Sequence, residues 1–288
     1  MAIAGLVFSQ CFYVLAHSLV KFGNAFLSLP LLLMARFGVS AVILMAIHGL
    51  VWCRDGITEK TEDLPTSPNI KLLIFRAVMG LTAMSLYFYA LRIGPLGRGN
   101  LIFSLGVLWT YLFSVIGKQE KATWRRSLGF LVALLGLGVL FSVRGAGGNL
   151  YADLAALVGS ICSGFVMITI KALRRNHSSR MVVTWFYGVG AILLLPFLSF
   201  QGVIWTWPLL FLILGIGISG LLAQWIMTES FKSVPGSVAS SMNLLGTPMM
   251  MVSGVLFFAE SFQSLELLGA IGIMLGLVGI VLQKKQAS

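Results

Sequence analysis

Apolar residues run along this chain in blocks of about twenty, and the charged and turn-forming residues gather in the short stretches between them. A hydrocarbon layer about 30 Å thick is crossed by roughly 20 helical residues, so runs of this length predict membrane-spanning helices. Ten are predicted: Ile3 to Val20, Leu29 to Trp52, Leu72 to Leu91, Leu96 to Gly117, Leu128 to Val143, Ala152 to Leu173, Val182 to Phe200, Leu209 to Phe231, Ser237 to Phe258 and Leu267 to Leu282. The first lacks the basic leader of a secretory signal and runs straight into a second span, so it reads as a retained helix. The longest connection, Cys53 to Lys71, is too small for an extramembrane domain.

Composition agrees with the pattern. A chain that is 58% hydrophobic, 10% charged and of mean hydropathy +0.96 falls outside the range of soluble globules. The net charge of +11 would suggest nucleic acid on a soluble protein, but here the basic residues lie between apolar runs and report membrane topology instead, with no nucleic-acid partner. Ten crossings put both termini on one side. With that side cytoplasmic, 14 of the 20 basic residues fall inside, four (Lys21, Arg92, Arg98, Arg144) fall outside, and Arg36 and Arg76 lie within spans. The predicted location is therefore the cell (inner) membrane, multi-pass, with N and C termini cytoplasmic. Cys11, Cys53 and Cys162 have neither paired spacing nor neighbouring histidines, and no metal or cofactor is expected.

Sliding the sequence on itself by 140 positions superposes Gly80 on Gly220, Pro95 on Pro235, Gly106 on Gly246, Glu120 on Glu260, Gly129 on Gly269 and Gly136 on Gly276. For the first two spans of each half the offset is nearer 150, which places Lys21 on Lys171 and Ala41 on Ala191. Residues 1–145 and 150–288 then form two five-helix repeats. Because five is odd, the second enters the membrane from the opposite side. The predicted fold is all-α integral membrane: ten transmembrane helices as two inverted five-helix repeats, an arrangement that lets two copies exchange conformations around a midplane site.

These stretches resemble the drug/metabolite transporter superfamily, in particular its EamA-type ten-helix members. The likeness rests on "YFYALRIGPLGRGNLIFSL" with "GKQEKATWRRSLGFLVALLGLGVLF" in the first half, and on "ESFKSVPGSVASSMNLLGTPMMMVSGVLFFAESFQSLELLGAIGIMLGLVGIVL" in the second. Pro248 stands inside the ninth span, whereas Leu108 occupies the place where the family often has its first-half proline, which leaves the kink of the fourth span open. The resemblance implies a cavity lined by spans one, three and four with their mates six, eight and nine. It also implies that the glycine-rich fifth and tenth spans sit at the back of each half, packing within the chain or forming a homodimer.

Polar residues inside spans are costly and therefore informative. Gln10, Tyr13, His17 and Lys21 form one stripe on the first span. Arg76 and Tyr87 share a face of the third; Asn100 and Trp109 lie on the fourth; Gln224 and Trp225 on the eighth; Asn243 and Thr247 on the ninth. Gln10, Tyr13, His17, Arg76, Tyr87, Asn100, Trp109, Gln224, Trp225, Asn243 and Thr247 are accordingly candidate substrate-binding residues. Serines and threonines in such helices also bond backbone carbonyls, Arg76 also has the option of snorkelling, and His17 is either a helix-packing residue or a proton-responsive one. Arg36 either pairs with a carbonyl or with Asp153, or meets a ligand. Asp153 and Glu229 are candidates for coupling or gating; Asp153 equally suits a helix start, and Glu229 a pairing with Arg76 or Lys232.

The expected activity is secondary active transport of a small organic solute, such as an amino acid, a related metabolite or an amphiphilic drug, by alternating access and in the export direction. The "ALRIGPLGRGN" wording also looks like a branch associated with uptake of metabolites such as S-adenosylmethionine. An intramembrane enzyme would need a convergent catalytic set, and a sensor or assembly subunit would need an effector domain; the sequence offers neither. The protein is expected not to be an enzyme, with the lipid bilayer and a small solute as its partners, as monomer or homodimer.

Overall fold

The computed structural model describes residues 2–55, 67–118, 122–142, 149–199, 203–233 and 236–281, with side chains described for all of these except 2–4, 51–55, 67–68, 231–233, 236–244 and 281. Among the described residues the secondary structure is helical throughout. The elements are α1 (Ala2–Gly23), α2 (Leu29–Asp55), α3 (Ser67–Ile93), α4 (Leu96–Phe103), α5 (Gly106–Ile116), α6 (Trp124–Ser142), α7 (Leu150–Leu173), α8 (Ser179–Leu194), α9 (Trp207–Ser233), α10 (Gly236–Phe258) and α11 (Ser264–Val281). Eight segments are long and apolar enough to cross a membrane, α4 and α5 together making one of them, and two shorter apolar stretches lie at Leu245–Phe258 and Ser264–Ile280.

The side-chain distribution is that of a protein solvated by lipid. Large apolar side chains such as Leu131, Leu135, Phe211, Phe257 and Leu275 face outward, while Arg36, Arg76 and Tyr87 are buried. This inverts the arrangement of a soluble domain, where a charged group is almost never enclosed without a partner.

Helix boundaries follow local chemistry. Asn149 caps α7 by accepting from the Tyr151 amide at 2.9 Å, and Ser178 caps α8 by accepting from the Met181 amide at 3.3 Å. The seventh predicted span, Val182 to Phe200, ends sooner than expected: α8 stops at Leu194 and a 3₁₀ turn covers Leu195–Phe197, because Pro196 has no amide hydrogen to extend the helix. Lys118 and Ala259, just past the ends of α5 and α10, both have positive φ (55° and 51°), a left-handed stop at nearly equivalent places in the two halves.

The fourth span breaks despite lacking its proline. Ser104 Oγ donates to the Leu101 carbonyl at 2.6 Å, competing for a helical acceptor, and the backbone passes through a tight turn at Ser104 and Leu105 before α5 resumes. α10 runs as one helix with Pro248 inside it.

Packing between the halves is reciprocal. α1 packs against α9 and α10; α7 packs against α3, α4 and α5; α2 contacts α8 and α9, while α8 contacts α2 and α3. α6 and α11 form the most extensive pair. At their crossing a Cβ on Gly136 would meet the backbone of Ile273, Gly269 and Gly272, and a Cβ on Gly276 would meet that of Ala133 and Gly129. The glycine face of these two helices is therefore consumed within the chain, with helix backbones in direct contact.

Candidate functional site

α1, α3, α4, α5, α7, α8, α9 and α10 surround a cavity with an empty volume of about 980 Å³, counting space open to solvent. Gln10, Tyr13 and His17 enter from three successive turns of α1, a consequence of their three- and four-residue spacing. Arg76 enters from α3, Asn100 from α4, Gln224 from α9 and Thr247 from α10. The fourth residue of the α1 stripe, Lys21, lies beyond them and donates through Nζ to the carbonyls of Leu91 (2.8 Å) and Gly94 (2.5 Å), closing the C-terminal end of α3.

Hydrogen bonds link the lining across the two halves. The Tyr13 hydroxyl donates to Gln224 Oε1 at 2.9 Å, and Asn100 Nδ2 donates to Thr247 Oγ1 at 3.4 Å. Tyr87 stands just behind, donating to Asn100 Oδ1 at 3.1 Å and stacking on Phe103 with centroids 4.4 Å apart. His17 sits between aromatic rings, stacked on Tyr13 at 5.7 Å and edge-on to Tyr87 at 4.8 Å; among the described residues neither of its ring nitrogens has a hydrogen-bond partner.

Other sequence candidates lie elsewhere. Trp109 donates through Nε1 to Ser160 Oγ at 2.9 Å, in the α5–α7 contact, and Trp225 packs against the apolar core. The Asn243 side chain lies outside the described residues. Asp153 pairs with Arg98 at 2.7 Å, and the same guanidinium reaches Glu266 at 2.6 Å and the Leu140 carbonyl at 2.7 Å. This triad ties α4 to α6, α7 and α11, and the partner of Asp153 is Arg98 rather than Arg36. Glu229 accepts from the Ser179 hydroxyl and lies 3.7 Å from Arg174, with 58% of its side chain exposed; neither acid lines the cavity.

Sequence reasoning missed Phe186, Met84, Met227 and Met250 as lining residues, because an apolar side chain within an apolar run leaves no polarity signal. It also missed Glu260, whose carboxylate accepts from the backbone amides of Leu96 and Gly97 (3.0 Å for the latter). Those amides follow Pro95 at the unpaired N-terminus of α4, where a negative charge is favoured. Glu260, the Arg98 triad and Lys21 all lie at one end of the helix bundle, and the first two join the halves there.

Two guanidiniums are buried without hydrogen-bond or ion-pair partners among the described residues: Arg36 and Arg76. Arg76 Cζ stands 4.0 Å from the centroid of Phe186, and Arg36 Cζ stands 5.7 Å from that of Tyr13. Ring faces offset part of a buried cation's cost. A guanidinium in the middle of a span still costs roughly 2.5–3.5 kcal/mol on insertion scales.

A partly polar cavity among helices with apolar exteriors fits a multi-pass membrane protein. Comparison with known proteins gives the family. The model of the EamA-like transporter family matches twice, over residues 1–142 and 150–282. The chain is 22% identical over 275 residues to the pseudopaline exporter CntI of Pseudomonas aeruginosa (strain UCBPP-PA14), covering 93% of this chain and 92% of that one. It is also 24% identical to a probable terminal-alkyne amino-acid exporter of Streptantibioticus cattleyicolor (67% and 61% covered) and to an S-adenosylmethionine uptake transporter of Rickettsia bellii (74% and 73% covered). A solved crystal structure superposes with a TM-score of 0.65 over 96% of each chain at 15% identity, which shows a shared fold. The chain belongs to the EamA-like transporter family, and is a transporter embedded in the membrane.

Proposed function

We propose that this protein is a secondary active transporter that moves a small organic solute out of the cell across the cytoplasmic membrane, by alternating access of two inverted five-helix repeats. The observation that carries this reading is the cavity itself, to which α1, α3, α4 and α5 contribute from one half and α7, α8, α9 and α10 from the other. A site shared between two halves is the arrangement in which rocking one against the other exchanges the open mouth. With both termini cytoplasmic, the Glu260 clasp and the Arg98 triad lie at the outer end of the bundle, where they join the two halves.

Export is favoured by the names of two relatives, the pseudopaline exporter and the probable amino-acid exporter. Uptake is the second reading, favoured by the S-adenosylmethionine uptake transporter, whose likeness reaches 74% of this chain. Gln10, Tyr13, His17, Arg76, Asn100, Gln224 and Thr247 are the proposed solute contacts, with Tyr87 holding Asn100 in place.

Purified protein in liposomes, preloaded with unlabelled solute and offered tracer from a panel of amino acids and related metabolites, tests the reading. Saturable counterflow is expected. Its absence across the panel, or product formation without flux, overturns it.

A further inference from the structure

The described lining of the cavity carries positive charge with no acid beside it to balance it. Among the described residues its lining contains a single formally charged side chain, Arg76, and no aspartate or glutamate. The Arg76 guanidinium lies over the ring of Phe186, and its nitrogens have no hydrogen-bond partner among the described residues.

Repeat symmetry places Arg36 beside the same chamber, next to the lining residue Tyr13. At the offset of 150 that aligns the early spans of each half, Arg36 of α2 is equivalent to Phe186 of α8. The structural equivalence holds in detail. Phe186 is seated over Gly80 of α3, where a Cβ would strike its ring, and Arg36 is seated over Gly220 of α9, where a Cβ would strike its guanidinium; Gly80 and Gly220 are themselves repeat mates. Phe186 lines the cavity, and Arg36 occupies the mirrored place behind Tyr13. One half thus presents a cation where the other presents a phenyl ring. A packing role alone is met by the phenyl ring, so the charge at position 36 calls for a different explanation.

Resting on the transporter reading of this cavity, we propose that the solute carries a carboxylate, bound by the guanidinium of Arg76 and drawn in by the field of Arg36. A planar guanidinium with free donors matches a carboxylate through two parallel hydrogen bonds, and an enclosed site strengthens that pair. The solute as a whole is an anion or a zwitterion with a mainly apolar body, because Phe103, Met84, Met227 and Met250 supply apolar lining and Asn100 and Thr247 the neutral polar contacts. Amphiphilic cations are excluded by the same field, since like charge in a desolvated site rejects a ligand that shape alone would admit.

The test is a matched series on one skeleton, read by thermal stabilisation of the purified full-length protein: hexanoate, hexanamide and hexylamine, with norleucine and norleucinamide beside them. Hexanoate and norleucine are expected to stabilise, and their amide and amine counterparts to bind roughly ten- to a hundredfold more weakly. Arg76→Gln is expected to remove the preference, Arg76→Lys to retain part of it, Arg36→Gln to weaken it, and Arg92→Gln, an exposed charge outside the cavity, to leave it unchanged. Equal binding of acid, amide and amine, no binding by any member, or a preference that survives in Arg76→Gln would overturn the proposal. Should Arg76→Gln fail to fold, the wild-type series and Arg76→Lys decide, a Lys variant with undiminished affinity ruling out the bidentate contact. Counterflow of labelled norleucine in liposomes separates the two readings. Flux indifferent to the carboxylate sinks this inference and leaves the carrier, whereas Arg76-dependent binding with no flux of any panel member sinks the carrier and leaves the inference.

Discussion

At the residue scale, the two classes of buried charge in this protein carry opposite expectations. Arg36 has no partner among the described residues, so an apolar side chain of similar length removes a desolvation cost and loses no ion pair. Arg36→Met is expected to raise the thermal midpoint by a few degrees, from about 1–3 kcal/mol of added stability, while weakening carboxylate binding; unfolding scans and a binding titration on the same preparation check both halves. Arg98 behaves in the reverse way. Its charge is shared by Asp153 and Glu266 in a buried network, and Asp153→Asn leaves that guanidinium half compensated, with an expected loss of about 3 kcal/mol seen as a lower unfolding midpoint. If Asp153 and Glu229 serve packing and capping, counterflow without a pH gradient persists in Glu229→Gln. Flux in that variant that becomes insensitive to an imposed gradient, where the wild type responds, would instead assign it a coupling role.

Elements meet most tightly where α6 crosses α11. Gly136, Gly269, Gly272 and Gly276 bring backbone against backbone, so a side chain has no flexible neighbour to displace. Gly276→Leu is expected to prevent accumulation of folded protein, whereas Gly138→Ala, at a position with open space around it, is expected to leave yield and midpoint within about 0.5 kcal/mol of wild type. Fluorescence-detected size exclusion of the two variants is the check. Similar behaviour of both would show that the seam tolerates separation. The break between α4 and α5 is the other element-level feature. Its cause is Ser104 and the turn after it, and it delivers Asn100, Phe103, Gly106 and Val107 to the cavity from two short helices rather than one straight rod.

For the whole molecule, the proposed inverted arrangement makes a topological prediction. In a background lacking Cys11, Cys53 and Cys162, Lys118→Cys is expected to be labelled from the cytoplasm, and a cysteine at Phe262, beyond the C-terminus of α10, only from the opposite side. Labelling of both by one membrane-impermeant reagent from one side would end the inverted-repeat model. Glu260→Gln weakens the clasp on the α4 N-terminus and is expected to increase accessibility of cavity residues from the outer side, with a matching change in the rate of counterflow.

Periodicity and hydropathy marked the apolar helices, eight of which are long and apolar enough to cross a membrane, because the cost of an unpaired backbone in lipid forces helices of set length and leaves apolar runs as their visible trace. The same logic exposed the α1 stripe, since polar residues on one face of a span stand out against an apolar background, and Gln10, Tyr13 and His17 do enter the cavity. Pairing was decided only in three dimensions. Arg98 reads as a loop-end charge in sequence, yet folding carries it to Asp153, 55 positions away, and Glu266, 168 positions away. Trp109 looks like a solute contact and is spent on Ser160, while Phe186 looks like packing and lines the chamber. Hydrophobic pattern fixes which residues leave water, being a property of one side chain at a time; which of them meet depends on how whole helices dock, and that is set by contacts between residues far apart in the chain.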